Sequence, residues 1–156
     1  MRGKRRDKKV KRYERTRILV EGDARIGRAM ADDALAQMGE EAVSVVEGPR
    51  ECLVMVQVRE TARGSRFYLG EALATTCRVR AAGFAGMGLV LGSQPDRARD
   101  LAVIDAAFGG ACGEAWQKRW DAHLAQEAAR LAAAKAAEAA RVRATRVDFS
   151  TMKVES

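Results

Sequence analysis

The segment that most restricts the fold of this chain covers residues 114–146, in which thirteen of 33 residues are alanine. Alanine has the highest helix propensity, so the segment predicts one long helix. Its larger apolar side chains form a single thin stripe: Trp116, Trp120, Leu124 and Leu131. Burial stabilises a fold by about 25 cal/mol per Å² of apolar area. The small alanine side chains bury little area and therefore contribute little. We expect the first two turns to pack through the tryptophans, which are also candidate partner-docking residues. The remainder should project or lie against another chain.

A second distinctive segment follows this helix near the C-terminus. A frayed, polar end is usual there. Instead, three apolar side chains alternate with charges and hydroxyls in the sequence Arg146, Val147, Asp148, Phe149, Ser150, Thr151, Met152. We predict that the segment is held in place, either on its own domain or on a partner, with Val147, Phe149 and Met152 as the apolar contacts. Arg146 and Asp148 would fix the orientation of the segment.

The charge of the chain is unevenly distributed. Ten Lys and Arg residues stand against two acids in residues 1–17, whereas the rest of the chain has 18 bases and 19 acids, so the net charge of +7 belongs to one end. The length suits a single modest core. We predict a basic, disordered tail over residues 1–17, an α+β core domain over 18–113, and a helix with a docking segment over 114–156. The tail could bind nucleic acid or simply keep the chain in solution.

The apolar runs and the cysteines indicate where the protein resides and whether its cysteines are oxidised. The sequence has no secretory signal pattern, and no run approaches the 18 apolar residues of a membrane span. Cys52, Cys77 and Cys112 are widely spaced and odd in number, which fits neither a disulfide framework nor a C-x-x-C metal motif. We expect reduced cysteines in a cytoplasmic protein.

The first part of the predicted core is helical. Residues 17–38 show a helical pattern with a break at 21–23, where Asp23 is a suitable N-cap. Gly39 supplies a stop signal. Four apolar residues recur at helical spacing and should lie on a sheet: Ile26, Met30, Ala34 and Met38.

The middle of the chain predicts an antiparallel meander of about four strands. The β-rich pieces are residues 42–47, 52–59, 67–69, 74–81 and 83–91, with a turn at 48–51. Residues 94–108 return to a helical pattern that ends at two glycines. The predicted fold is therefore α+β, with a long C-terminal helix and a docking tail.

The chain offers little catalytic chemistry. His123 is the only histidine, which excludes His-dependent triads and multi-His metal sites within this chain. Cys77 and its neighbour Arg78 point to opposite faces of a strand, so Cys77 is a poor nucleophile candidate. The glycines of residues 83–92 lack the strand–loop–helix context of a nucleotide loop and are better explained as crowded strand positions. We predict no catalytic residue and no metal site.

Several arginines lie along the predicted sheet. Arg66, Arg78 and Arg80 are weak candidates for binding phosphate oxygens, because guanidinium groups can do so with two parallel hydrogen bonds. They could equally line a solvent face or a subunit interface.

A set of segments in this chain can be compared, in order, with known families. The central segments are residues 52–59 (CLVMVQVR), 67–72 (FYLGEA) and 75–80 (TTCRVR), and the last is 144–152 (ATRVDFSTM). Together they resemble the PhnG family of the bacterial carbon–phosphorus lyase system. The similarity also includes residues 86–92 and 98–106. Arg63 stands where family members tend to have threonine, and the first 25 residues differ from the usual family start. These departures leave the fold assignment intact.

The resemblance implies a non-catalytic subunit of a complex. The family works with PhnH, PhnI and PhnJ in a two-fold symmetric core complex, and PhnL takes part in the reaction. There, a phosphonate displaces adenine from ATP and gives a ribose 1-phosphonate 5-triphosphate. It implies no cofactor in this chain, because the iron–sulfur cluster and S-adenosylmethionine belong to PhnJ.

Two other functions are compatible with the residues themselves. The first is a basic-tailed nucleic-acid-binding or adaptor protein. The second is a small enzyme that uses Arg66, Arg78 or Arg80 on a phosphorylated substrate, although no general base is evident.

Overall fold

The computed structural model describes residues 10–145, which form four α-helices and three strands. Helices α1 and α2 are Arg12–Glu21 and Ala24–Met38. Strands β1, β2 and β3 are Val43–Arg59, Arg66–Ala81 and Phe84–Leu91. Helices α3 and α4 are Pro95–Ala106 and Glu114–Ala144. The predicted α+β class is confirmed. The predicted helix break is present, and the Asp23 carboxylate accepts a hydrogen bond from the backbone N–H of Arg25 at 2.9 Å.

The strands form one antiparallel sheet in the order β1-β2-β3, so the prediction of four strands was wrong by one. Residues 48–51, predicted as a turn, lie inside β1, where shifts of register between residues 45 and 50 accommodate extra residues as bulges. Gly48 adopts a φ of 80°, which glycine tolerates without strain. Because β1 is an edge strand, Pro49 can lack its N–H at a bulge without breaking the sheet. The two extended pieces predicted next are likewise one strand, β2.

Helix α3 covers one face of the sheet at very short range. A Cβ atom at Gly86 would lie 2.0 Å from the carbonyl oxygen of Ala102, and one at Gly88 would lie 2.0 Å from that of Ala98. Glycine at these two positions therefore allows the helix to touch β3, which agrees with the interpretation of crowded strand positions. We call this side of the sheet the helix-side face and the other side the open face.

Helix α2 packs on α3 rather than on the sheet, which corrects the expectation for its apolar stripe. Helix α3 already occupies the helix-side face, so α2 forms the next layer. Met30 and Ala34 from the predicted stripe are buried there.

Helix α1 begins inside the segment predicted as a disordered tail, so that prediction was wrong for Arg12 onwards. Ile18 and Leu19 are buried in the core. The side chain of Arg97 donates to the backbone oxygens of Leu19 and Val20 at 2.9 Å and thereby satisfies the end of α1. Residues 1–9 lie outside the described residues.

Helix α4 is buried on the domain only along its first half, and beyond it a surface ion pair joins Lys135 to Glu21 of α1 at 2.7 Å. Leu124 is fully buried, whereas every described residue from Ala132 onwards is exposed. At about 1.5 Å per residue, the exposed part of the helix is roughly 20 Å long. This agrees with the expectation that the alanine-rich end projects. No helix within residues 10–145 is long and apolar enough to cross a membrane.

Candidate docking surface

The hairpin of β1 and β2 extends beyond the rest of the sheet. Strand β3 pairs with β2 only from Ala74 to Ala81, so residues 66–73 have β1 as their only strand neighbour among the described residues. The resulting two-stranded ribbon, residues 51–73, is called the arm below. At about 3.3 Å per residue, the arm extends roughly 25 Å from the sheet.

The helix-side face of the arm carries large exposed apolar side chains. Leu53 and Leu73 form a cross-strand pair, and Met55 follows on the same face. Their exposed fractions are 63%, 44% and 61%. A bulge at Leu69 returns Tyr68 to this face, where it lies opposite Gln57. These side chains continue the row that α3 buries in the body of the protein, but no described element covers them.

The open face of the arm is also apolar. Val54 lies opposite Ala72, Val56 lies opposite Gly70, and Val58 lies opposite Phe67. Three exposed residues of β3 extend this apolar surface across the body of the sheet: Met87, Leu89 and Leu91. Contiguous exposed apolar surface of this kind marks an interaction site. A two-stranded hairpin is at best marginally stable alone in water, so the arm needs a partner surface.

The tip of the arm is basic. Its turn is closed by a backbone hydrogen bond from the Glu60 N–H to the Ser65 oxygen at 2.9 Å. The Ser65 hydroxyl donates to the Glu60 carboxylate at 2.9 Å. No carboxylate of residues 10–145 forms an ion pair with Arg59, Arg63 or Arg66. Three arginines therefore lie near one acid, and that acid is already hydrogen-bonded.

The structure does not bring the three predicted anion-binding arginines together. Arg78 and Arg80 are neighbours on the open face, and the Arg78 Nε atom lies 3.7 Å from the Glu47 carboxylate. Arg66 lies at the tip of the arm, roughly 40 Å along the strand from Arg78. A shared phosphate site of all three is therefore not formed.

The two tryptophans contact their own domain. Trp116 is buried, and its ring meets that of Phe108 edge-on at 5.1 Å between ring centres. Its docking role stays a prediction. Trp120 donates from Nε1 to the Asp33 carboxylate at 2.7 Å. This hydrogen bond, with the Arg119 guanidinium, lowers the pKa of Asp33. The first turns of α4 thus pack on the domain through both tryptophans, as expected. Arg146, Val147, Asp148, Phe149 and Met152 lie outside the described residues, and their docking role stays a prediction.

The remaining candidates for chemistry are packing residues. The ring of His123 lies 5.1 Å from that of Trp120. Cys77 and Cys112 are buried, and burial raises the pKa of each thiol, which disfavours the reactive thiolate. Among residues 10–145, no group of three or more His, Cys, Asp or Glu side chains is placed to hold a metal ion.

A cluster around Asp105 was missed in the sequence. Its carboxylate accepts hydrogen bonds from Arg12 Nε at 2.8 Å and from Arg15 Nη2 at 3.1 Å. It also accepts the backbone N–H of Met87 at 3.1 Å. One carboxylate therefore joins α1, α3 and β3 and fixes the layers that support the arm. The only signal was an acid within the apolar pattern of residues 101–106.

The sequence is similar to known proteins of phosphonate metabolism. Residues 10–154 match the family model described as phosphonate metabolism protein PhnG. A protein of Rhizobium meliloti (strain 1021), named alpha-D-ribose 1-methylphosphonate 5-triphosphate synthase subunit PhnG, is 39% identical over 145 residues. The aligned region covers 92% of this chain and 88% of that protein. The resemblance noted from individual segments is confirmed.

Proposed function

This chain belongs to the PhnG family of phosphonate metabolism proteins, and we propose that it acts as a non-catalytic subunit of an alpha-D-ribose 1-methylphosphonate 5-triphosphate synthase. In that reaction a phosphonate oxygen attacks C1 of the ATP ribose, and adenine leaves. This chain would supply binding surface and organisation, while the reacting groups come from other subunits.

The arm is the observation that carries this proposal. It presents apolar side chains on both faces and has no described element of its own chain to cover them. The projecting half of α4 adds a second exposed surface. By contrast, the described residues offer no paired nucleophile and base and no metal cluster. A molecule with extensive contact surface and little chemistry suits a subunit role better than independent catalysis.

The partners follow from the family. We propose that PhnH, PhnI and PhnJ bind this chain in a two-fold symmetric complex in the cytoplasm, and that PhnL takes part in the reaction. ATP would be a substrate of the complex. The iron–sulfur cluster and S-adenosylmethionine would belong to PhnJ, which later breaks the carbon–phosphorus bond.

Reconstitution tests this function. A tagged form of the chain is co-expressed with PhnH, PhnI and PhnJ, purified, and sized by light scattering. Adenine release from ATP and methylphosphonate is then measured with PhnL, with and without this chain. We expect a stable complex and adenine release that depends on the chain. A chain that stays monomeric beside its partners, or adenine release that is unchanged when it is omitted, would refute the proposal.

A further inference from the structure

The arm shows how this subunit is held by its complex, an inference that rests on the proposed function. The exposed side chains of Leu53 and Met55 lie on the helix-side face, whereas Val54 and Val56 lie on the open face. A flat partner surface would cover only one of these rows. Burial of both rows requires walls on both sides of the ribbon.

The edges of the arm favour the same arrangement. Residues 66–73 have no neighbour on the side where β3 would continue, and β1 has no described strand on its outer side. Unpaired strand edges carry rows of backbone N–H and C=O groups that natural proteins cover or pair. A groove that surrounds the ribbon can satisfy these groups as well as the apolar faces.

The charges of the arm are arranged along its length. Arg59, Arg63 and Arg66 lie at the tip, while Glu51 and Glu71 lie towards its base. The tip arginines have no ion-pair partner among the described residues. A cleft that receives the arm should therefore be acidic at its deepest point, because unpaired charges are costly when they are buried.

A second copy of this chain is a poor binding partner for the arm. Two arms that met end to end would bring their basic tips together. Asp33 on α2, Asp105 on α3 and Glu127 on α4 are each already engaged by an arginine of the same chain. These three carboxylates are therefore not vacant partners for the tip of another copy.

We propose that the arm inserts into a cleft of a different subunit of the complex, with apolar walls against both faces of the ribbon and acidic side chains at its floor against the tip arginines. The arm is thus the main attachment of this subunit, and the charge along it fixes the direction of insertion.

The first test uses surface substitutions with matched controls, in the full chain co-expressed with PhnH, PhnI and PhnJ. Met55→Glu places a charge on the arm, and Tyr13→Glu places one on α1, where the apolar side chain is 75% exposed. We expect Met55→Glu to weaken assembly by at least about 100-fold, because it buries an unpaired charge. Tyr13→Glu should assemble normally. Circular dichroism and the Tm should show both variants folded.

The second variant and its control test the arginines at the tip of the arm. Arg63→Glu reverses a tip charge, and Lys118→Glu reverses an exposed charge on α4. We expect Arg63→Glu to weaken assembly by about tenfold or more, and the assembly of the wild type to weaken with salt. Lys118→Glu should have no effect. Equal behaviour of the arm variants and their controls, in a complex that the wild type does form, would overturn the arm proposal and leave the subunit function standing.

Photo-crosslinking provides the decisive measurement, and it does not depend on a destabilising change. A photoreactive amino acid is placed at Met55 in one chain and at Val54 in another, on opposite faces of the ribbon. Crosslinks from both positions to one and the same heterologous subunit are expected. Crosslinks from one face only, or to a second copy of this chain, would overturn the proposal that the arm inserts into a cleft of a different subunit. If the wild type fails to assemble at all, the proposed function and the arm proposal fall together.

Discussion

The guanidinium of Arg15 lies 4.2 Å from the centre of the Phe108 ring, and both side chains are buried. The same guanidinium donates to the Asp105 carboxylate at 3.1 Å. One cation therefore joins the first helix to the core both through an aromatic ring and through a carboxylate. Burial lowers the pKa of Arg15, and the Asp105 charge opposes that effect.

This contact predicts unequal roles for two arginines that share one carboxylate. Arg15→Ala should lower the free energy of unfolding by about 3 kcal/mol, because the largely buried Asp105 carboxylate would keep only the exposed Arg12 as its cationic partner. Arg12 is 70% exposed in its side chain, so Arg12→Ala should cost about 1 kcal/mol or less. Urea denaturation of both variants measures the difference. Equal losses would show that burial does not distinguish the two contacts.

The close approach of α3 to the sheet predicts the effect of one methyl group. Gly88→Ala should lower the free energy of unfolding by about 2–3 kcal/mol or more, since the new Cβ atom would overlap the Ala98 carbonyl and force the helix away. Gly27 lies within α2 with its nearest neighbour at 3.9 Å. Gly27→Ala should therefore be stabilising by about 0.5–1 kcal/mol. Thermal denaturation of the two variants should show Tm changes of opposite sign.

The N-cap of α2 predicts a dependence on acid. Hydrogen bonds from the Arg25 side chain and backbone lower the pKa of Asp23 from 3.8 to about 2. Since the folded-state value is below the unfolded one, the stabilisation is present above pH 4 and is lost as the pH falls towards 2. Asp23→Asn keeps a good capping residue. We expect this variant to show a smaller loss of stability between pH 4 and pH 2 than the wild type, measured by urea denaturation. An unchanged pH profile would contradict the role of Asp23.

Removal of the C-terminal segment separates assembly from folding. Deletion of residues 146–156 should abolish assembly with PhnH, PhnI and PhnJ if the segment docks on a partner. Helix content by circular dichroism should change little, since all four described α-helices lie before residue 146. A truncated chain that assembles with wild-type affinity would remove the docking role of Phe149 and its neighbours.

Local signals predicted most elements of the fold. The N-cap Asp23 and the stop signal at Gly39 predicted the two ends of α2, and the β-rich run of residues 52–59 predicted a strand. Pro49 was misleading, because a turn-forming residue can also lie in a bulge of an edge strand. The start of α1 could not be predicted from the sequence for a different reason. Arg15 and its neighbours are a basic segment in the sequence, but the carboxylate that Arg15 meets lies 90 residues further along the chain.

The docking surface could be predicted only in part. Residues 52–58 are apolar on both faces, a pattern typical of a strand covered on both sides. The sequence contains that signal, but it cannot show whether the covering surface belongs to this chain. Conversely, the thin apolar stripe of α4 predicted that Trp116 packs on the domain, but it gave no sign of the aromatic ring of Phe108 that meets it.

The unpaired edges of the arm also bear on how much of this protein a cell can usefully make. A copy without its partner keeps apolar side chains and open strand edges in water, and such edges recruit other strands. Every copy made in excess is therefore at risk of aggregation, and partner binding withdraws copies from that risk by mass action. If a partner covers the arm as proposed, its supply helps to set the amount of usable protein.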